Sequence, residues 1–511
     1  MLKPPPHSAD SALPFPPQVR RQRKRITVIG AGISGLVAAY ELERRGHSVE
    51  VLEGRLELGG RVRTHRFLPG QPGPSVELGA MRVPITHRRT MRCIGELGLA
   101  DRVREFTTLF QDENAYLETG SGHQRIRDAS RTLVAELRRR LPEGECEEYD
   151  DATVLFGAWL AVRVNAIAPG RFRESISDGL DHEMLRLVDG IDLSPFVYGA
   201  ARDRIDLHAL FAHHPQIQAG CTGRLYRFVE DIVSETSTRL IRLRGGMDQL
   251  VHRLRDRVRG PIRRGQEVVG IETGEREVSL RVRRGFGTVT KSCDYVLCTV
   301  PFSVLRGMDL VGFDAEKSAI VHDMKYWSAT KVSFHCREAF WEREGITGGA
   351  SFTGGLVRQT YYPPVEGDPR LGAALMASYA IGEDADVLGG LTRSARLAVV
   401  LDEVSAVHPQ LRQPGMILGV ADQVWGDAPS SMGAAAVRWG KDIATCESER
   451  RSAARRQGRL FFAGEHCSTH PAWIEGAIES ADNAVREIEY HEPGADAPVT
   501  ADEYAVSEEP A

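Results

Sequence analysis

The chain has 511 residues, 42% of them hydrophobic, and a formal net charge of −5. That length exceeds one simple core and sets an expectation of two or three domains, while the mild acidity gives no reason to expect a nucleic-acid partner. The 8 cysteines form no Cys-x-x-Cys pair, so neither a zinc site nor a disulfide framework is suggested, and no metal is expected. A reducing cytosol fits this usage, which makes the expected location cytoplasmic. No stretch approaches the ~18 unbroken apolar residues of a membrane span.

Residues 1–24 are proline-rich, end in RRQRKR, and read as a disordered tail. The basic cluster followed by ITVIGAGISGLVAAY superficially resembles a twin-arginine signal, and such export stays open as an alternative. The glycine spacing favours another reading: a buried strand, Ile26 to Ile29, running into a helix. Gly30, Gly32 and Gly35 form G-x-G-x-x-G, with Ile33 and Ser34 in the same turn. A second strand, Ser48 to Leu52, ends at Glu53, an acid 18 residues past the last glycine. This βαβ pattern sets a dinucleotide's pyrophosphate on a helix N-terminus and its ribose hydroxyls on the acid, here Glu53, with Gly54 and Arg55 just beyond.

A second glycine turn with a cation attached follows, Gly59, Gly60 and Arg61, and suits a larger dinucleotide lying extended across the domain. Next comes ELGAMRVP, residues 77–84, which wedges Arg82 between apolar residues. A buried guanidinium needs a partner, and Glu77 is the only acid in the stretch. Residues 90–239 read as helix-rich, opening with the amphipathic HRRTMRCIGELGL. GGMDQLVHRLRDRV reads as a helix, and GQEVVGIE and CDYVLCTVPFSVL as strands. ATKVSFHC and GAALMASYA read as strands and DVLGGLTRSARLAVVLDEV as one helix. Near the end, Leu460 to Ala463 is a strand closed by Gly464 and Glu465. A helix follows from Ile474, with Gly476, Ala477, Ser480 and Ala481 on a close-packed face, and residues 491–511 read as a second disordered tail.

With these motifs in register the chain resembles the flavin amine oxidase superfamily, and its L-amino acid oxidase branch, over residues 25–490. The resemblance implies an α/β fold (α+β overall). A Rossmann-like FAD-binding domain is assembled from the discontinuous segments 25–89, 240–312 and 456–490. A mixed-sheet substrate domain spans 313–455, and 90–239 forms a helical insertion. It also implies FAD contacts at Gly79, Ala80, Met81 and Arg82, at Val268 near the adenine, at Gly464 and Glu465, and at Trp473, Ile474 and Ala477 on the last helix start. Ala434 stands where a tethering cysteine would fall, so non-covalent FAD is expected.

On the substrate side the resemblance gives Arg82 the α-carboxylate, with Tyr379 as a second clamp. Lys331 takes the catalytic position, water-bridged to the flavin. Trp473 lines the cavity, and the carbonyl of Ala472, where glycine is commoner, meets the amine. Where some relatives carry a histidine, this chain has Glu230, or nearby Asp231. That departure invites a preference for a basic side chain, arginine or lysine. The implied activity is oxidation of an L-amino acid by oxygen to a 2-oxo acid, ammonia and hydrogen peroxide. An amino acid 2-monooxygenase that yields an amide is the alternative, and an amine oxidase is a further one that Arg82 and Tyr379 argue against. A homodimer with small-molecule partners and no membrane is expected.

Overall fold

A computed structural model describes residues 23–142, 149–168, 170, 184–221, 223–237 and 239–491. Most of the two expected tails, residues 1–22 and 492–511, lies outside the described residues. At their boundary the Lys24 ammonium donates to the carbonyl oxygen of His491 at 2.6 Å and to that of Ile488, which ties the chain's entry to the end of its last helix.

The central layer is a five-stranded sheet. Its strands are β1 (Arg25–Ile29), β2 (Ser48–Glu53), β3 (Ile262–Arg264), β4 (Tyr295–Cys298) and β5 (Leu460–Phe462). Their order is β3-β2-β1-β4-β5, parallel throughout. Such strands carry nearly continuous apolar runs when both faces are covered; here helices pack on one face and the strands Glu267–Thr273 and Val278–Arg284 on the other, and all four residues of β4 are buried. Helix α1 (Ile33–Arg44) follows β1 and packs against α2 (Ile474–Tyr490), the helix after β5. The strand order reverses at β1, which opens a crevice beyond the carboxyl ends of the strands.

The second large sheet has seven strands, in the order Ile417–Val424, Ala329–Cys336, Ala373–Ile381, Arg358–Tyr361, Ala350–Gly354, Tyr116–Thr119, Gly122–Arg125. Its last two strands come from the segment expected to be helical, so residues 90–239 are not helices alone. That segment also supplies Val103–Glu105, which pairs with Leu240–Leu243. Leu240–Leu243 in turn pairs with Val83–Pro84, so the residue after Arg82 is fixed in a small three-stranded sheet. The single helix expected over DVLGGLTRSARLAVVLDEV is two, Glu383–Gly390 and Arg393–Val407. Gly389 and Gly390 end the first, and the Thr392 hydroxyl starts the second by accepting from the Ala395 N–H at 3.3 Å. No helix among the described residues is long and apolar enough to cross a membrane.

Candidate active site

The turn from β1 into α1 admits only glycine at position 35, because a Cβ there would lie 2.0 Å from the Gly30 carbonyl oxygen. The residue capping α1 is Gly32, and no side chain bonds the first amides of the helix. Those N–H groups and the positive end of the helix are left for an anion. Ser34 lines the same cavity, and its buried Oγ has no partner among the described residues. Glu53, at the end of β2, accepts from the Ala31 N–H at 2.8 Å and the Arg55 N–H at 2.9 Å, so its carboxylate is held at the crevice edge. The second glycine turn lies against the first through a bridge between Gly32 and Gly59. Gly59 has φ +114° and a Cβ there would meet the Val62 carbonyl oxygen at 2.9 Å.

These turns line a cavity of about 760 Å³, within the usual range for a cofactor site. Gly30, Gly32, Ile33, Glu53, Gly54, Arg55, Gly59, Gly60 and Arg61 form one end. Ala80, Val268, Gly464, Glu465, Ala472, Trp473, Ile474 and Ala477 complete it. Arg61 donates to Glu465 at 2.7 Å and to the Ala434 carbonyl oxygen at 2.9 Å, which joins the first and last segments of the sheet across the cavity. Burial works to raise the pKa of Glu465, but Arg61, His466 and the Ala472 N–H together hold it below the usual carboxylate value. A glycine-walled cleft with unbonded helix amides, an orphan hydroxyl and a fixed ribose-binding acid fits a dinucleotide. Among the described residues no cysteine lines the cavity, while Ala434 does, so no thiol is at hand for a tether.

Four expected cofactor residues do not line this cavity. Gly35 acts through the turn, as above. Gly79 has no room for a side chain, since a Cβ would sit 2.2 Å from the Arg61 carbonyl oxygen. Met81 is buried, and its sulfur receives the Lys331 ammonium at 3.5 Å. Arg82 lines neither this cavity nor the one beside it, whose edge its ion-pair partner Glu235 helps to form.

That smaller cavity, of about 40 Å³, abuts the first, and Ala472 and Trp473 line both. Tyr379, Trp327 and Trp439 form its aromatic walls, and Asp231 and Glu235 its acidic edge. Trp327 and Trp439 stack with centroids 5.6 Å apart. The Trp439 indole N–H donates to Asp231 at 2.5 Å, and Arg438 lies 3.8 Å from the same carboxylate. Of the two acids read from the sequence, Asp231 lines this cavity and Glu230 does not, and Glu235 joins Asp231 one helical turn away on the same face. Ala472 has φ 70°, the left-handed region, which accounts for glycine being commoner at that place. The Glu465 carboxylate braces it by accepting from its N–H at 3.1 Å.

Lys331 is buried, and its ammonium donates to the carbonyl oxygens of Gly79 at 2.7 Å and Glu77 at 3.2 Å, over the Tyr379 ring. It therefore fixes the turn that presents Arg82. Burial pushes Lys331 down to about 7, Arg82 adds to the shift, and Glu77 opposes it. Arg82 is 7% exposed. It donates to the Tyr361 hydroxyl at 2.8 Å and is ion-paired with Glu235. Its guanidinium carbon lies 5.7 Å from the Phe106 ring centroid and 5.8 Å from that of Tyr361. The expectation that Arg82 has no partner within the chain is thus corrected: its partner is the Glu235 carboxylate. Sequence reading missed Glu235, Tyr361, Trp327 and Trp439. Only Glu235 carried a local signal, its i+4 spacing from Asp231.

A family model for flavin containing amine oxidoreductases matches residues 33–489. The flavin-dependent L-tryptophan oxidase RebO of Lentzea aerocolonigenes is 56% identical over 469 residues, covering 92% of this chain and 98% of that protein. The L-amino-acid oxidase of Vipera ammodytes ammodytes is 27% identical over 482 residues, covering 91% and 92% respectively. The solved structure of putrescine oxidase bound to putrescine aligns over 91% of this chain and 99% of that one, with a TM-score of 0.61 and 19% identity, a likeness of fold. With its FAD cradle, the chain is an FAD-dependent oxidoreductase and belongs to the flavin-containing amine oxidoreductase family.

Proposed function

We propose that the protein is an L-amino acid oxidase whose substrate carries an aromatic side chain, of the class that includes tryptophan. The observation that carries this reading is a cavity walled by Trp327, Tyr379, Trp439 and Trp473, whose edge residue Glu235 is ion-paired with the buried Arg82. The relative named for L-tryptophan oxidation, 56% identical, supports it.

In this reading the Arg82 guanidinium grips the substrate α-carboxylate with a two-pronged geometry that an ammonium lacks. The Tyr379 and Tyr361 hydroxyls join it. Lys331 keeps the Arg82 turn in register by holding two of its carbonyls, and the Ala472 carbonyl accepts from the substrate amine. The aromatic walls take the side chain and exclude water, and fixed orientation replaces lost rotational freedom. Gly30, Gly32, Ser34, Glu53 and Arg61 hold the cofactor. FAD bound there would supply a two-electron acceptor for oxidation at the substrate's amine-bearing carbon, with oxygen as the final oxidant. Water then converts the imino acid to a 2-oxo acid and ammonia.

A preference for basic side chains loses the anion first assigned to it, because Glu230 is off the cavity, and of the two acids on its edge Asp231 is engaged by Trp439 and Arg438 and Glu235 by Arg82. The test is aerobic turnover of L-tryptophan, L-phenylalanine, L-leucine and L-arginine with products identified. Oxo acid, ammonia and peroxide, fastest from the aromatic substrates, are expected. An amide with carbon dioxide identifies a 2-monooxygenase instead, and arginine as the best substrate overturns the aromatic assignment.

A further inference from the structure

The helix Gly223–Glu235 carries three acids toward its C-terminal end, Glu230, Asp231 and Glu235, the last two spaced i to i+4, with no basic residue in its last turn. Helix stability does not account for them. The C-terminal end of a helix disfavours anions, and like charges four residues apart repel. The Asp231 and Glu235 side chains border the small cavity. Asp231 is engaged by Trp439 and Arg438. Glu235 is paired with Arg82, the cation to which the proposed function assigns the substrate carboxylate.

The two members of that pair differ in freedom. The Arg82 side chain is 7% exposed and Glu235 26%. Arg82 is also held by the Tyr361 hydroxyl and lies over two rings. The hydroxyl of Thr108 donates to the Glu235 carbonyl oxygen at 2.8 Å, so the backbone is pinned while the more exposed side chain is held by the Arg82 pair. A cavity of about 40 Å³ has room for only a few waters at ~10–15 Å³ each. An aromatic amino acid needs a wall to yield, and of the charged wall groups Glu235 is more exposed than Asp231 or Arg438.

We propose that Glu235 is a carboxylate that changes partner during each turnover. It neutralises Arg82 until the substrate carboxylate displaces it, and then, beside the substrate nitrogen, it takes the ammonium proton. The N–H bond breaks with its electron pair left on nitrogen, the proton goes to a Glu235 oxygen, and the amine becomes the neutral form that oxidation requires. A carboxylate that loses its guanidinium partner in a dry site binds a proton more readily, so the exchange itself readies the base. When product leaves, Glu235 returns to Arg82 and releases the proton to solvent. The other charged or titratable groups that share its cavity are Asp231, Tyr379 and Arg438, while Tyr361 and Lys331 act on its partner Arg82. Arg163 and His208 bond the hydroxyl of the next residue, Thr236.

The inference rests on the proposed function, and one experiment separates the two. Holoenzyme and its Glu235→Gln, Glu235→Asp and Arg82→Ala variants are titrated with indole-3-propionate, which has the carboxylate but no amine, by flavin absorbance. The pH profile of kcat/KM for L-tryptophan is measured alongside. Glu235→Gln is expected to bind indole-3-propionate about ten-fold tighter, since its competitor for Arg82 is gone. Its kcat/KM is expected to fall on the order of a hundred-fold or more, with the acidic limb of the profile lost. Glu235→Asp, a shorter carboxylate, retains that limb. A Glu235→Gln enzyme with wild-type affinity for indole-3-propionate and a wild-type pH profile overturns the proposal. If Arg82→Ala also leaves that affinity unchanged, the reading of Arg82 as the carboxylate grip fails with it.

Discussion

The cofactor cradle and the substrate wall meet at Ala472 and Trp473, yet they are built differently. The cradle is mostly backbone: glycines that let turns touch, helix amides without side-chain caps, and one acid at a strand end. The wall is side chains, brought together from the Gly223–Glu235 helix, the seven-stranded sheet and the segment around Trp439. A backbone site tolerates no added atom, whereas a side-chain site is tuned by exchanging walls. The first therefore sets what cofactor chemistry is possible, and the second sets which molecule undergoes it.

The sharpest way to break this contrast is Gly35→Ala. One methyl group must enter a space where an oxygen lies 2.0 Å away, and purified protein with little or no bound flavin is expected. Full flavin occupancy would show that the turn yields. Next in size is Arg82→Ala, which removes a buried cation and leaves Glu235 unpaired. A drop of roughly a hundred-fold or more in kcat/KM is expected, with flavin content near normal because Arg82 does not line the larger cavity. Loss of flavin as well would merge the two regions.

Trp439→Ala should act more mildly. It removes one face of an aromatic stack, and a KM for L-tryptophan raised about ten-fold is expected. The KM for L-leucine should move less, and equal losses for both would remove the aromatic wall's claim to specificity. Lys331 gives the smallest effect, one of pH. Burial lowers it from the ordinary 10.5 to about 7. Between those values the unfolded chain carries a proton that the folded chain lacks, so stability rises with pH there. The penalty is full below 7 and fades above it by about 1 kcal/mol per pH unit. The wild-type unfolding midpoint should therefore gain on that of Lys331→Met from pH 7 to 9, and a gap independent of pH would contradict the burial of a titrating amine.

The same contrast explains what was legible in the sequence. Gly30, Gly32, Gly35 and Glu53 are close along the chain and each has one physical reason to be there, so the motif predicts the cradle. Glu465 and Trp473, at the other end, were legible because β5 and α2 repeat the same strand-to-helix logic. Residues 116–125 pair as two strands only because the seven-stranded sheet offers them an edge, a contact more than 200 residues away that no local pattern encodes. Glu235 was overlooked for the same reason. Its partner stands 153 residues earlier in the chain, and counting along an ungapped stretch pointed to Glu230. Arg82 looked solitary in ELGAMRVP because its neighbours in space, Tyr361, Phe106 and Glu235, are all distant in sequence.

The most direct test of the central claim is anaerobic mixing of the holoenzyme with single L-amino acids, followed by flavin absorbance. Rapid bleaching by L-tryptophan is expected, with L-arginine far slower and Arg82→Ala slow with both. No bleaching by any aromatic L-amino acid, or bleaching by aromatic amines that persists in full without Arg82, would contradict an oxidase that holds its substrate by the carboxylate.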